Sequence, residues 1–196
     1  MDPSAHSASK FKLCDFIEEY LSTAENQKCS IPFIAISESW LKPFISDAQI
    51  AIPDYEVTRQ DRVRRPHGGV LLYVHNSLPI SETFCYDDDT CEAVVCSIKS
   101  INTKIASIYR PPNTDDKSFE NLLSFLEKAL YDKNSRDKHP DIIIAGDFNI
   151  PEINWKAHHI HCENKLSSKA ANRLLSFMEK HFLNQYISQP TREKNV

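Results

Sequence analysis

Glycine is scarce in this chain of 196 residues: only Gly68, Gly69 and Gly146 occur. That excludes collagen-like repeats, Gly-rich phosphate loops and Gly-x-Gly dinucleotide turns, which all need backbone freedom that side chains deny. No run approaches the roughly 20 apolar residues of a membrane-spanning helix, and the polar stretch from Met1 to Lys10 lacks a secretory core. The expectation is an intracellular protein, nuclear or cytoplasmic, neither secreted nor in a membrane. A strong basic excess is also missing: Lys and Arg total 23 against 27 Asp and Glu, a net charge of -4. Any nucleic-acid contact must therefore be local. The one basic cluster, Arg59 to Arg65, reads as a solvated loop in preference to a phosphate-contacting patch.

The six cysteines, at 14, 29, 85, 91, 96 and 162, contain no Cys-x-x-Cys pair, and without a signal peptide they are expected as reduced thiols. Cys91 and Cys96 lie on an apolar run and read as core residues. His158-His159-Ile160-His161-Cys162 gathers metal-friendly side chains but has no second ligand pair, so it reads as surface histidines rather than a zinc site.

What is present is a globular composition, 41% hydrophobic and 26% charged, with residues 1–9 a polar tail and 10–196 one domain. Apolar residues recur at helical spacing over about 10–25, 115–131 and 167–181. Short strands are expected at 31–36, 55–58, 70–74, 93–98, 104–108, 141–146 and 183–187, with 31–36 buried and 141–146 the clearest buried one. Strands interleaved with helices predict a layered α/β or α+β domain.

Three polar clusters each follow an apolar strand: Ser37-Glu38-Ser39-Trp40, Tyr109-Arg110-Pro111-Pro112-Asn113 and Gly146-Asp147-Phe148-Asn149. If the three strands share a sheet and a direction, Glu38, Tyr109, Asp147 and Asn149 converge on one rim. Taken singly, Glu38 reads as a surface carboxylate, and Asp147 equally as a turn residue or a site. Together they form a coherent set. Glu38 and Asp147 are hard oxygen ligands suited to Mg²⁺ or Mn²⁺, while Tyr109 and Asn149 are neutral donors able to hold a phosphate oxygen.

Ile36-Ser37-Glu38-Ser39-Trp40-Leu41, Gly68-Gly69-Val70, Ile108-Tyr109-Arg110-Pro111-Pro112-Asn113, Ile144-Ala145-Gly146-Asp147-Phe148-Asn149 and Gln189-Pro190-Thr191-Arg192 occur in that order. Over about residues 10–192 this pattern resembles the endonuclease domain of non-LTR, LINE-type retrotransposons, within the endonuclease/exonuclease/phosphatase family. The resemblance implies a DNase I-like, four-layer α/β sandwich with two mixed sheets, and Mg²⁺-dependent hydrolytic nicking of DNA, with Mn²⁺ as a substitute. It implies Glu38 as the metal ligand, Asp147 as the residue that orients or deprotonates water, and Tyr109 and Asn149 as phosphate-facing catalytic residues. Arg59, Arg62, Arg110 and Asn113 are implied as substrate contacts. Against the family pattern, an Asn-bearing first strand and a closing Ser-Asp-His block are not found. The expectation is a domain incomplete at both termini, from a retrotransposon-derived polyprotein and impaired or inactive as this fragment. The alternative is a non-catalytic remnant or a domesticated nucleic-acid-binding module. His181, at a helix end, reads as a C-terminal-turn histidine rather than the missing acid/base.

Overall fold

The computed structural model describes residues 31–131, 139–155, 161–162 and 169–187. The helix predicted over 10–25, most of the 158–162 His/Cys segment and the 189–192 block lie outside these residues. The described strands are β1 (Phe33–Ser37), β2 (Tyr55–Gln60), β3 (Val70–His75), β4 (Glu82–Asp87), β5 (Glu92–Ile98), β6 (Thr103–Tyr109) and β7 (Asp141–Asp147), plus the short pair β8 (Ile153–Asn154) and β9 (His161–Cys162). The helices are α1 (Asp116–Leu130) and α2 (Lys169–Lys180).

Two sheets face each other. One has the order β1-β3-β2, antiparallel throughout, and the other β4-β5-β6-β7, mixed because β6 and β7 run parallel. Alternation along the strands divides the apolar residues between faces. On β3, Val70, Leu72 and Val74 meet Val94, Cys96, Ile98 and Ile105 between the sheets, while Leu71 and Tyr73 turn outward to Leu41, Ile45, Ile50 and Ile52. On β5, Ala93 and Val95 face the helices instead. Both strands are buried on both faces, which is why they read as unbroken apolar runs. Cys91 and Cys96 are fully buried, as expected of core residues.

Helix α1 begins where Asp115 Oδ1 accepts the Ser118 backbone N–H at 2.9 Å, an N-cap that satisfies an otherwise orphaned donor. Its apolar stripe, Phe119, Leu122, Leu126, Ala129 and Leu130, packs on the second sheet with Leu174, Phe177 and Met178 of α2. Each fully buried leucine there contributes about 1.5–3 kcal/mol.

Three expectations change. Strand β7 is half-buried, with Ile143 38% exposed, because it is the edge strand of its sheet among the described residues. Strand β1 is half-buried for the same reason. Residues 183–187 form no strand: no described strand offers them a ladder, and Tyr186 and Ile187 are exposed.

Candidate active site

The three polar clusters do converge, but by a different route from the one the strand pattern suggests. Only β6 and β7 share a sheet and a direction, which sets Tyr109 opposite Asp147 in register. Strand β1 belongs to the other sheet and reaches the rim by packing across β6 and β7. The Ser107 hydroxyl donates to the Ile36 carbonyl at 3.3 Å between the sheets. One step further along, the Tyr109 hydroxyl donates to Glu38 Oε1 at 2.5 Å. Burial first, and then this bond to Glu38, push the Tyr109 phenol well above its ordinary range, so it acts as a donor.

Glu38 leaves β1 with φ 56°, a left-handed conformation uncommon for a residue with a side chain. The exit is held by the backbone of the 68–69 turn: Ser39 N–H donates to Gly69 O at 3.1 Å, and Trp40 N–H to Gly68 O at 2.9 Å.

At the end of β7, Gly146 has φ 138°, and a Cβ there would lie 2.0 Å from the Ile108 carbonyl oxygen. Glycine is thus required for β7 to pass β6 at this point. The chain then turns tightly: Asp147 Oδ1 accepts the Asn149 backbone N–H at 2.9 Å, and Asn149 takes φ 49°. Arg110 fastens the turn. Its backbone N–H donates to Asp147 O at 2.9 Å, and its guanidinium donates to Phe148 O at 2.9 Å and Asn149 O at 3.1 Å. The Asn149 side-chain amide donates back to Arg110 O at 2.9 Å. The guanidinium also lies 4.8 Å from the centroid of the Phe119 ring, which ties the turn to α1.

The arginines expected as substrate contacts are committed within the protein. Arg110 is buried in the turn just described. Arg62 is 6% exposed rather than in a solvated loop; its guanidinium donates to both carboxylate oxygens of Glu92 and to Thr90 O. Glu92 Oε2 also accepts the Gly69 N–H at 3.4 Å. A Cβ on Gly68 would lie 2.6 Å from the Arg62 guanidinium carbon, so the glycine lets this turn close over the ion pair. The same guanidinium carbon sits 5.3 Å from the Tyr109 ring centroid. Arg59 donates to Ile45 O and pairs with Asp47 at 2.9 Å. Asn113 occupies an exposed turn ahead of α1.

Glu92 is a residue that sequence reading missed. It stands in register with Tyr109 on the neighbouring strand and supports the site from below. Its only sequence signal was a carboxylate beside an apolar run. His67 and Trp40, whose rings meet at the rim, were also missed as a pair. His181 packs between Tyr131 and Phe177, away from the rim.

Residues 103–195 match the endonuclease-reverse transcriptase family. No curated protein matches the chain. In fold, the chain is similar to the crystal structure of an AP endonuclease from Leishmania major, with a TM-score of 0.55 at 12% identity, over 81% of this chain and 59% of that one. It is also similar to the endonuclease domain of TRAS1, a telomere-specific non-LTR retrotransposon, with a TM-score of 0.51 at 14% identity, over 83% of this chain and 63% of that one. The chain thus spans about three fifths of the length of each. In fold and in its sequence blocks the chain resembles the endonuclease/exonuclease/phosphatase family, with residues 103–195 carrying the endonuclease-reverse transcriptase pattern on a DNase I-like α/β sandwich.

Proposed function

We propose that this chain forms part of a divalent-metal-dependent phosphodiesterase domain, of retrotransposon origin, that nicks DNA. The observation that carries this reading is the hydrogen bond that joins Glu38, at the end of one sheet's strand, to Tyr109 of the other sheet, whose register partner is Asp147. Two hard carboxylates and a phenol at one rim suit a phosphate ester and a hard cation.

The donor set fits Mg²⁺ or Mn²⁺. Such ions bind through one or two carboxylates and leave their other positions to water and phosphate. Among the described residues no group of three or more His, Cys, Asp or Glu side chains is gathered to hold a metal ion. Glu38 would hold the ion, which when bound would neutralise developing charge on the phosphate.

The chain's own groups supply the rest. Asp147 is the base that orients the attacking water and accepts its proton. Its carboxylate is aimed by the Asn149 N–H and by the Arg110 clamp. Tyr109, whose one hydroxyl proton is donated to Glu38, positions that carboxylate. Asn149 lines the same turn.

The second reading, a non-catalytic remnant of such a domain, is favoured by one observation: Arg62, Arg110 and the Asn149 amide are all engaged by protein acceptors. Supercoiled plasmid with Mg²⁺ separates the two. The enzyme reading expects nicking that an Asp147→Ala variant loses, and nicking no greater than that variant's would defeat it. Calorimetric Mg²⁺ titration of wild type against Glu38→Ala checks the metal role; indistinguishable isotherms would remove it.

A further inference from the structure

Two residues beyond Glu38, the fold displays an aromatic side chain at an energetic cost. Trp40 has φ 55°, a genuine outlier for so bulky a residue, and its indole is 43% exposed. His67 has φ 60° and is exposed as well, and the two rings meet edge to face with centroids 4.5 Å apart. Strained backbone of this kind persists only where the surroundings over-determine it. Here they do. Trp40 N–H is held by Gly68 O, and the Lys42 ammonium donates to Arg62 O at 2.8 Å and Arg65 O at 2.9 Å, fastening the 62–68 loop to the 40–42 segment. The buried Arg62–Glu92 pair anchors that loop from beneath.

Burial does not account for this arrangement, because the rings remain open to solvent. What it achieves is a pre-ordered aromatic edge at the rim that carries Glu38. The same loop presents exposed Arg64 and Arg65, with Arg64 sharing Asp89 at 2.7 Å. An exposed aromatic face beside a loop that carries guanidinium groups is complementary to a nucleotide base and its phosphate.

We infer that Trp40, backed by His67, stacks on an unpaired or unstacked DNA base next to the phosphate presented to Glu38. The inference rests on the DNA reading above and adds the element that grips the strand.

Binding of a fluorescein-labelled DNA hairpin with one unpaired base, measured with Mg²⁺ in the Asp147→Ala background so that nothing is cleaved, tests it. The expected result is saturable quenching of tryptophan emission that is lost in Trp40→Phe, with affinity kept within about threefold because an aromatic face remains. Trp40→Gly relieves the left-handed strain, so its Tm should not fall, while its affinity drops about tenfold with the loss of one stacked base. Wild-type affinity in Trp40→Gly would overturn the inference. So would an affinity loss that tracks a lowered Tm and is not rescued by phenylalanine, since that marks a structural role. A chain that binds no hairpin overturns the DNA reading together with the inference. Normal binding with Trp40→Gly unaffected overturns the inference alone, and plasmid nicking against Asp147→Ala still decides the nuclease reading.

Discussion

Tyr109, the last residue of β6, and Glu38, just past the end of β1 in the opposite sheet, are joined by a 2.5 Å hydrogen bond across 71 positions of the chain. The bond makes the position of the proposed metal ligand depend on the sheet-to-sheet packing.

Tyr109→Phe keeps the buried ring and deletes the donor. A hydrogen bond to a carboxylate contributes about 1.5–3 kcal/mol. The thermal unfolding midpoint should therefore fall by roughly 3–12 °C, and plasmid nicking should fall below wild type at temperatures where the variant is still folded. An unchanged nicking rate would show that Glu38 needs no such support.

Gly146→Ala would place a methyl group 2.0 Å from a backbone carbonyl, at a φ of 138°. Neither the main chain of β6 nor that of β7 can yield cheaply, so the loss should be roughly 3 kcal/mol or more. Urea denaturation reads it directly, and a loss below about 1 kcal/mol would contradict the close approach.

Glu92→Gln leaves the Arg62 guanidinium buried without its counter-charge. Breaking one side of a buried pair costs about 3–5 kcal/mol, part of which is offset because burial itself raises the Glu92 pKa and disfavours its charged form. The double variant Arg62→Met, Glu92→Gln removes the stranded charge, so it should be more stable than Glu92→Gln alone. Equal stability of the two would argue against a tightly coupled pair.

His181 predicts a pH effect. Burial between Tyr131 and Phe177 lowers its pKa below the ordinary 6.5. The folded state then binds fewer protons than the unfolded one. Its contribution to stability is complete above pH 6.5 and is lost as pH falls from there through the depressed folded value. The urea midpoint of wild type should decline between about pH 7 and 5 more than that of His181→Phe. Parallel curves for the two proteins would remove the effect.

Local pattern located most of the described elements, though not β4. The apolar runs Val70–Val74 and Ala93–Ile98 located two central strands, and Asp115 with its following stripe located α1. The polar blocks at 37–40, 109–113 and 146–149 marked the rim. These features depend on neighbours within a few residues, where periodicity and turn chemistry act. Only the tertiary structure decided that Glu38 approaches from a second sheet, that β7 packs on one face, and that residues 183–187 make no strand. It also decided which charges the protein keeps for itself: Arg62 finds Glu92 30 positions away and Arg110 finds Phe148 O 38 positions away. Apolar pattern shows that a face must be covered but not by which element, and a guanidinium's partner is set by packing at long range rather than by the residues beside it.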